Sequence, residues 1–245
     1  MEERFIEDDP ILGKFIANYP INRLRLLIPA GAVLIAVWFI ITIALWEVED
    51  NLASTITVVV IFFASLVVGW LVLHLWNREI ILYERGFTYR EGSNIAYIRY
   101  AEIRATRQQG QVLSYFGGLI RRSSYQFTVE TNNDEIFTLT NLYTHLDQLT
   151  LRLEQAITPS LITHSNTRLA AGEKVVFNPT LALSADGLHN ESRLLEWDSF
   201  GGYEIKTGEL RLKNATGEFW HGVSLRDIEN IRVLIALLDE RIPTS

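Results

Sequence analysis

The sequence predicts an α+β protein with membrane helices: a two-helix transmembrane hairpin, then two tandem β-rich domains, each closed by a C-terminal helix. Three observations predict it. Leu26–Trp46 and Leu52–Trp76 contain no Asp, Glu, Lys or Arg, and only Glu47-Val48-Glu49-Asp50-Asn51 separates them. From Arg78 the pattern changes to short strand-like runs broken by turn residues. After Gly172 that pattern begins again. The organisation is therefore a cytoplasmic N-terminal segment over 1–25, the hairpin over 26–76 with spans 26–46 and 52–76, a first domain over 77–157, a connecting helix over 158–172 and a second domain over 173–245.

Ahead of the hairpin, Asp9-Pro10 offers an N-cap followed by proline at the first helical position, and Ile11, Phe15 and Tyr19 recur at four-residue spacing. This predicts a short amphipathic helix on the cytoplasmic face of the bilayer, ending before Pro20. As helices the two apolar stretches span about 31 Å and about 37 Å, against a hydrocarbon core of about 30 Å. The acidic leader Glu2-Glu3 with Glu7-Asp8-Asp9 and the length of the first run both differ from a cleaved signal peptide. Lys14, Arg23 and Arg25 precede the first span and Arg78, Arg85 and Arg90 follow the second, while the connecting turn has no Lys or Arg. The positive-inside rule then places both termini in the cytoplasm of a multi-pass protein of the cell membrane. The sequons Asn190-Glu191-Ser192 and Asn214-Ala215-Thr216 would matter only on the other side.

Within the spans, Ala32 and Ala36, and Ser65 and Gly69, lie four residues apart. In an antiparallel hairpin Ala32 meets Gly69 and Ala36 meets Ser65, so these four residues form the expected packing seam; the alternative is small residues scattered on lipid-facing sides. Trp46 and Trp76 fall where aromatic rings favour the interface and are the expected anchors. His74 is the titratable group inside the spans, two residues from the end of the second, where its imidazole reaches water. Pro29 kinks the first helix or marks its start.

Strands are predicted at 79–83, 87–90, 95–99, 103–108, 125–131 and 135–140, with an ambiguous strand count over 111–124. Asn141–Ile157 then takes helical spacing through Leu142, Leu146, Leu149 and Leu153. Thr158-Pro159 reads as a fresh helix start running to about Ala171 and stopping at Gly172. Seven further strands follow at 175–177, 181–184, 188–190, 194–197, 202–205, 209–213 and 218–221, then a helix over 227–241 with Ile228, Ile231, Leu234, Ile235 and Leu238 on its face.

The two units share local wording. Ile81-Leu82-Tyr83-Glu84-Arg85-Gly86-Phe87 parallels Leu181-Ala182-Leu183-Ser184-Ala185-Asp186-Gly187-Leu188 in running a strand into a glycine turn and out to an apolar residue. Tyr100-Ala101-Glu102-Ile103 parallels Trp197-Asp198-Ser199-Phe200 in joining an aromatic, an acid and an apolar residue. A strand, glycine turn, strand, aromatic-and-acid motif and closing helix on each unit resembles the bacterial pleckstrin-homology-like (PH-like) domain. The tandem form, opened by Ile80-Ile81-Leu82-Tyr83-Glu84-Arg85-Gly86 and closed by Glu229-Asn230-Ile231-Arg232-Val233-Leu234, is similar to an uncharacterised family of membrane-associated PH-like proteins over about residues 77 to 245. The resemblance implies two PH-like β-barrel or sandwich domains in a bacterial inner-membrane protein and carries no established chemistry.

Composition narrows the function classes. The net charge is −7 and no segment has the basic excess that nucleic-acid binding requires. With no cysteine, disulfides and thiol chemistry are excluded. Gly117-Gly118 and Gly201-Gly202 lack the lysine and spacing of a phosphate loop, and His74, His145, His164, His189 and His221 never fall at metal-ligand spacing. No enzyme activity, metal, cofactor or small-molecule substrate is expected. The most site-like segment is Gly117–Ser124. Either Arg121 and Arg122 hold lipid headgroups, with Arg78 and Arg85 as further contacts, or the loop is a solvated hairpin tip. The expected partners are the bilayer itself and a protein, with a non-catalytic interaction platform as the leading function. Headgroup recognition at the membrane surface is the alternative, and an accessory subunit of a membrane enzyme or transporter the third.

Overall fold

The structure is a computed structural model and describes residues 8–46, 50–115, 120–191 and 193–242. It is α+β: two long apolar helices, antiparallel sheets and a final helix. Contacts divide the chain into two compact units, Met1–Tyr97 with Leu142–His145, and Ile98–Asn141 with Leu146–Ser245.

The first unit begins where the sequence predicts an interfacial helix, and the structure corrects that expectation. The Asp9 carboxylate accepts the amides of Ile11 and Leu12, and Asp9 and Gly13 exchange backbone hydrogen bonds. Gly13, at φ +89°, then reverses the chain. The proline and cap that suggested a helix start thus close a single turn. The segment behind it is strand β1 (Phe15–Pro20), paired antiparallel with β2 (Glu79–Tyr83). Phe15 and Tyr19 are four apart on a helix, but here a register shift between Phe15 and Ala17 sets them opposite Tyr83 and Ile80, and the open edge of β2 selects the strand. β3 (Gly86–Glu91) and β4 (Asn94–Arg99) complete a sheet of order β1-β2-β3-β4.

Between β1 and β2 lies the apolar hairpin. Helix α1 (Arg23–Ala44) starts at Asn22, whose side chain accepts the Arg25 amide, and passes through Pro29 without ending. Helix α2 (Asp50–Trp76) returns to within two residues of β2. Both are long and apolar enough to cross a membrane. Their bases join the sheet's core, where Leu26, Tyr19 and Ile21 are buried with Ile80, Leu82 and Phe87.

In the second unit, β5 (Ile103–Tyr115) and β6 (Ile120–Thr131) pair along their length, which puts 111–115 and 120–124 in two strands, while Gly117-Gly118-Leu119 lie outside the described residues. β7 (Ile136–Thr140) pairs only with Gln126–Glu130, so the distal part of the β5–β6 pair is two-stranded. Helix α3 (Leu146–Ala170) follows without a break. The separate connecting helix expected at 158–172 is therefore the second half of α3. Pro159 removes the hydrogen bond that would reach the Gln155 carbonyl, but both residues are exposed, where the loss is tolerated. The buried face of α3 runs through Leu149, Leu153, Ile157 and Leu161.

The chain then repeats the plan: β8 (Val175–Asn178), β9 (Leu181–Leu183), β10 (Gly187–Asn190) and β11 (Arg193–Glu196) make a four-stranded sheet, and β12 (Phe200–Lys206), β13 (Glu209–Asn214) and β14 (Phe219–Ser224) a three-stranded one. Helix α4 (Ile231–Asp239) closes it, shorter than the sequence suggests because a 3-10 turn at Leu225–Asp227, a bridge at Glu229 and a left-handed N-cap at Asn230 precede it. In chain order each repeat is thus four strands, a 3-10 turn, three strands and a helix. The two turns are Tyr100–Glu102 and Trp197–Ser199, the matching aromatic segments of the sequence, and each strand that follows carries a register shift at its start. The first strand of the first repeat is β1, so the apolar hairpin is an insertion in the β1–β2 connection.

Candidate functional site

A groove of about 770 Å³ in the second unit is walled by α3, α4, β5, β6 and the β12–β13 turn. Its apolar floor arises from α4. Val233, Leu234, Leu237 and Leu238 are buried in the core, whereas Ile231, Ile235 and Ala236 are half-buried and line the groove. The helix is therefore apolar on two sides, only one of which the core uses. Leu225, Ile205 and Pro159 continue the lining.

The polar groups fall into engaged and unengaged sets. Arg232 Nε donates to Glu154, whose side chain is 7% exposed against 50% for the arginine. Burial pushes the Glu154 carboxyl above its usual range, against the opposing pull of Arg232. Tyr203 donates its hydroxyl hydrogen to Asp239 Oδ1 at 2.8 Å. Arg226 is exposed and forms no ion pair among the described residues.

Asn230 fixes α4 against β5. It sits at φ 51°, in the left-handed region that asparagine tolerates. Its amide donates to the Thr106 carbonyl at 2.8 Å, its Oδ1 accepts the Thr106 amide at 2.7 Å, and its Nδ2 donates to the Arg104 carbonyl at 3.2 Å. Beside it Arg107 pairs with Glu229. Glu229-Asn230 thus lies along the outer edge of β5 like a two-residue strand.

A smaller pocket of about 550 Å³ lies on the other face of β5, lined by Arg107, Gln109, Asn178, Thr180, Arg226 and Asp227 among others. Beside it is a polar chain: Asn190 Nδ2 donates to His221 Nδ1 at 3.1 Å, and His221 Nε2 lies 3.3 Å from Thr180 Oγ1, which donates to Asn178 Oδ1. Burial, then Arg193, pushes the His221 pKa down. Among the described residues, no three His, Asp or Glu side chains converge as metal ligands.

The residues singled out from sequence fall elsewhere. Arg121 and Arg122 belong to β6, but their side chains lie outside the described residues. Arg78 pairs with Glu91, and Arg85 is exposed, its amide donating to the Leu12 carbonyl. The expected seam is corrected. Ala32, Ala36 and Ser65 are exposed, and a Cβ placed on Gly69 would meet nothing within 4 Å. The half-covered stripes are Leu34, Val37 and Ile41 on α1 and Ile61, Ala64 and Val68 on α2. Both helices are apolar all round, so hydropathy marks no contact face, and large and small residues share it. Trp46 is 82% exposed at the end of α1, and Trp76 lies beneath the Arg23 guanidinium at 4.8 Å. None of the groove residues was singled out as a site residue, and Ile231 and Ile235 were placed on the core face of the last helix; the signal was the excess width of apolar sequence on α4.

Over residues 2–242 the sequence matches the model of a family of unknown function, DUF6585. The chain belongs to DUF6585. Among curated proteins no relative matches this DUF6585 member.

Proposed function

We propose that the chain is a membrane-anchored, cytoplasm-facing, non-catalytic interaction protein, in which tandem PH-like repeats hold a protein partner at the bilayer. The observation that carries this reading is the groove, where α4 presents Ile231 and Ile235 outside its own core. The four-strand, three-strand, helix order of each repeat supports the PH-like assignment. The positive charges flanking the hairpin support the orientation. Because the chain has no cysteine, single cysteines at Asn51 and Thr216 report sidedness cleanly: an impermeant maleimide added to intact cells labels the first and spares the second. Gentle co-purification from native membranes tests the partner, and reproducible recovery of the protein alone counts against it.

A second reading, headgroup recognition, rests on the two-residue connection from α2 to β2, which keeps the first sheet close to the bilayer and raises the headgroup concentration it meets. Arg121 and Arg122, on β6 of the second unit, are its first residues by their sequence alone, and Arg85, beside β2 of the first unit, follows. Arg78 is the weakest of the four because Glu91 already neutralises it. Unchanged retention of lipid headgroup analogues after removing the charges at Arg121 and Arg122 defeats this assignment.

A further inference from the structure

Three features meet at the outer edge of β5. First, β5 is an edge strand, with β6 its sheet neighbour among the described strands in the order β5-β6-β7. The Thr106 amide and carbonyl both face Asn230, away from β6, so by strand alternation the peptide groups of Gly110, Val112 and Ser114 face outward as well. Glu229-Asn230 occupies the edge only as far as the bridge at Arg107. Second, the open stretch Gln109-Gly110-Gln111-Val112-Leu113-Ser114 carries neither charge nor proline, the usual devices by which an edge is kept from pairing. Third, the two faces of the strand open onto different chemistry. Gln108 and Gly110 border the apolar groove, and Arg107 and Gln109 border the smaller polar pocket. Arg226 borders both and forms no ion pair among the described residues.

We propose that β5 is a strand-addition site: an extended, carboxylate-bearing segment of a protein partner pairs antiparallel with Gly110–Ser114, its apolar side chains facing the groove and its carboxylate meeting Arg226. Main-chain hydrogen bonds supply affinity in this mode, and alternate side chains supply selectivity. The antiparallel sense follows the bridge that Glu229 already makes. A carboxylate is required because Arg107 is engaged by Glu229 and Arg232 by Glu154, which leaves Arg226 as the cation to be met. A second copy of the chain does not complement the edge, since its own Gln109–Ser114 has no carboxylate to offer. This inference rests on the protein-partner reading and names the partner's binding element.

The test uses the full chain in nanodiscs and a surface array of heptapeptides, with Leu, Ile, Val or Phe at alternate positions and Asp, Glu, Ser or Lys between them. Peptides alternating apolar and acidic residues are expected to bind saturably. N-methylation of every second peptide amide, which keeps the side chains and removes the pairing donors, should weaken binding at least 10-fold. Gly110→Pro should do the same, because the Gly110 amide faces away from β6 and the ladder survives; an unchanged thermal transition verifies folding. Arg226→Glu should shift selection from acidic peptides to lysine-bearing ones. Equal binding of the N-methylated peptides overturns strand addition. So does the absence of any selected peptide, or native-membrane recovery of a partner by Gly110→Pro at the wild-type level. In these cases the protein-partner reading itself survives, whereas recovery of the wild-type chain alone removes both. A dimer in nanodiscs that Gly110→Pro dissolves assigns the edge to a second copy and overturns the proposal.

Discussion

Replacing Asn230 separates backbone strain from hydrogen bonding at the β5–α4 clasp. Alanine removes the acceptor of the partly buried Thr106 amide, about 1 kcal/mol, and the exposed bond from Nδ2 to Arg104, about 0.5 kcal/mol. It also places a Cβ-bearing residue without local compensation at φ 51°, costing about 1 kcal/mol. The total is about 2.5 kcal/mol. Asn230→Gly keeps the backbone relaxed and should cost about 1.5 kcal/mol, and Asn230→Asp keeps the acceptor and loses only the exposed donor, about 0.5 kcal/mol. Hydrogen exchange of the α4 amides, resolved by mass spectrometry on the full chain in nanodiscs, reads local opening directly. Exchange should accelerate roughly 70-fold for alanine, roughly 10-fold for glycine and about 2-fold for aspartate, since 1.4 kcal/mol corresponds to a factor of about ten. Glycine matching alanine would refute the strain component, and aspartate matching alanine would refute the role of Oδ1. No acceleration in any of the three would refute the clasp.

Other expectations follow from close approaches, titration and the helix-interior proline. Gly187→Ala places a Cβ 2.1 Å from the Leu195 carbonyl oxygen and should destabilise by at least about 3 kcal/mol, whereas Gly69→Ala meets open space and should leave the melting temperature unchanged; thermal unfolding by tryptophan fluorescence compares them. The His221 pKa is depressed below its ordinary 6.5, so on acidification the unfolded chain takes up this proton first. The stability it contributes is present above pH 6.5 and is lost as pH falls from there through the lower folded value. His221→Gln should therefore flatten the fall in melting temperature below pH 6.5, and an equally steep fall refutes the assignment. Pro159→Ala restores a donor to the Gln155 carbonyl within α3 and should stabilise by about 1 kcal/mol in the same unfolding assay; destabilisation would show that the proline holds a required bend.

Legibility in the sequence followed the range of the interactions. Apart from the distal halves of β5 and β6, strands β2 to β14 were readable because alternation and turn residues act over a few positions, and Gly86 and Gly187 punctuate both repeats. β1 was misread because its partner β2 lies beyond the whole apolar hairpin, and a four-residue spacing with an Asp-Pro start fits a local helix equally well. The break at Thr158-Pro159 failed for a related reason: a proline stops a helix only where the lost bond cannot be replaced, and Gln155 faces water. The seam at Ala32, Ala36, Ser65 and Gly69 was undetermined by sequence, because uniformly apolar helices carry no directional signal. The groove was half legible. Ile231 and Ile235 were read as core, and only the burial of Val233, Leu234, Leu237 and Leu238 shows that the core was already supplied. Arg226 and the clasp at Asn230 depend on contacts with β5 more than a hundred residues earlier in the chain, and no local pattern announces them.

The insertion of the apolar hairpin between β1 and β2 sets the order in which the chain can be built. A ribosome delivers β1 first, and its sheet partner emerges only after both long helices have been synthesised. The first sheet therefore cannot close on a chain that has placed only one of them. Nascent β1 waits with its edge unpaired until the second helix has been made and β2 follows it. A chain whose hairpin is unfinished therefore carries an unfinished sheet, and an unpaired strand edge is the kind of surface that chaperones and proteases engage.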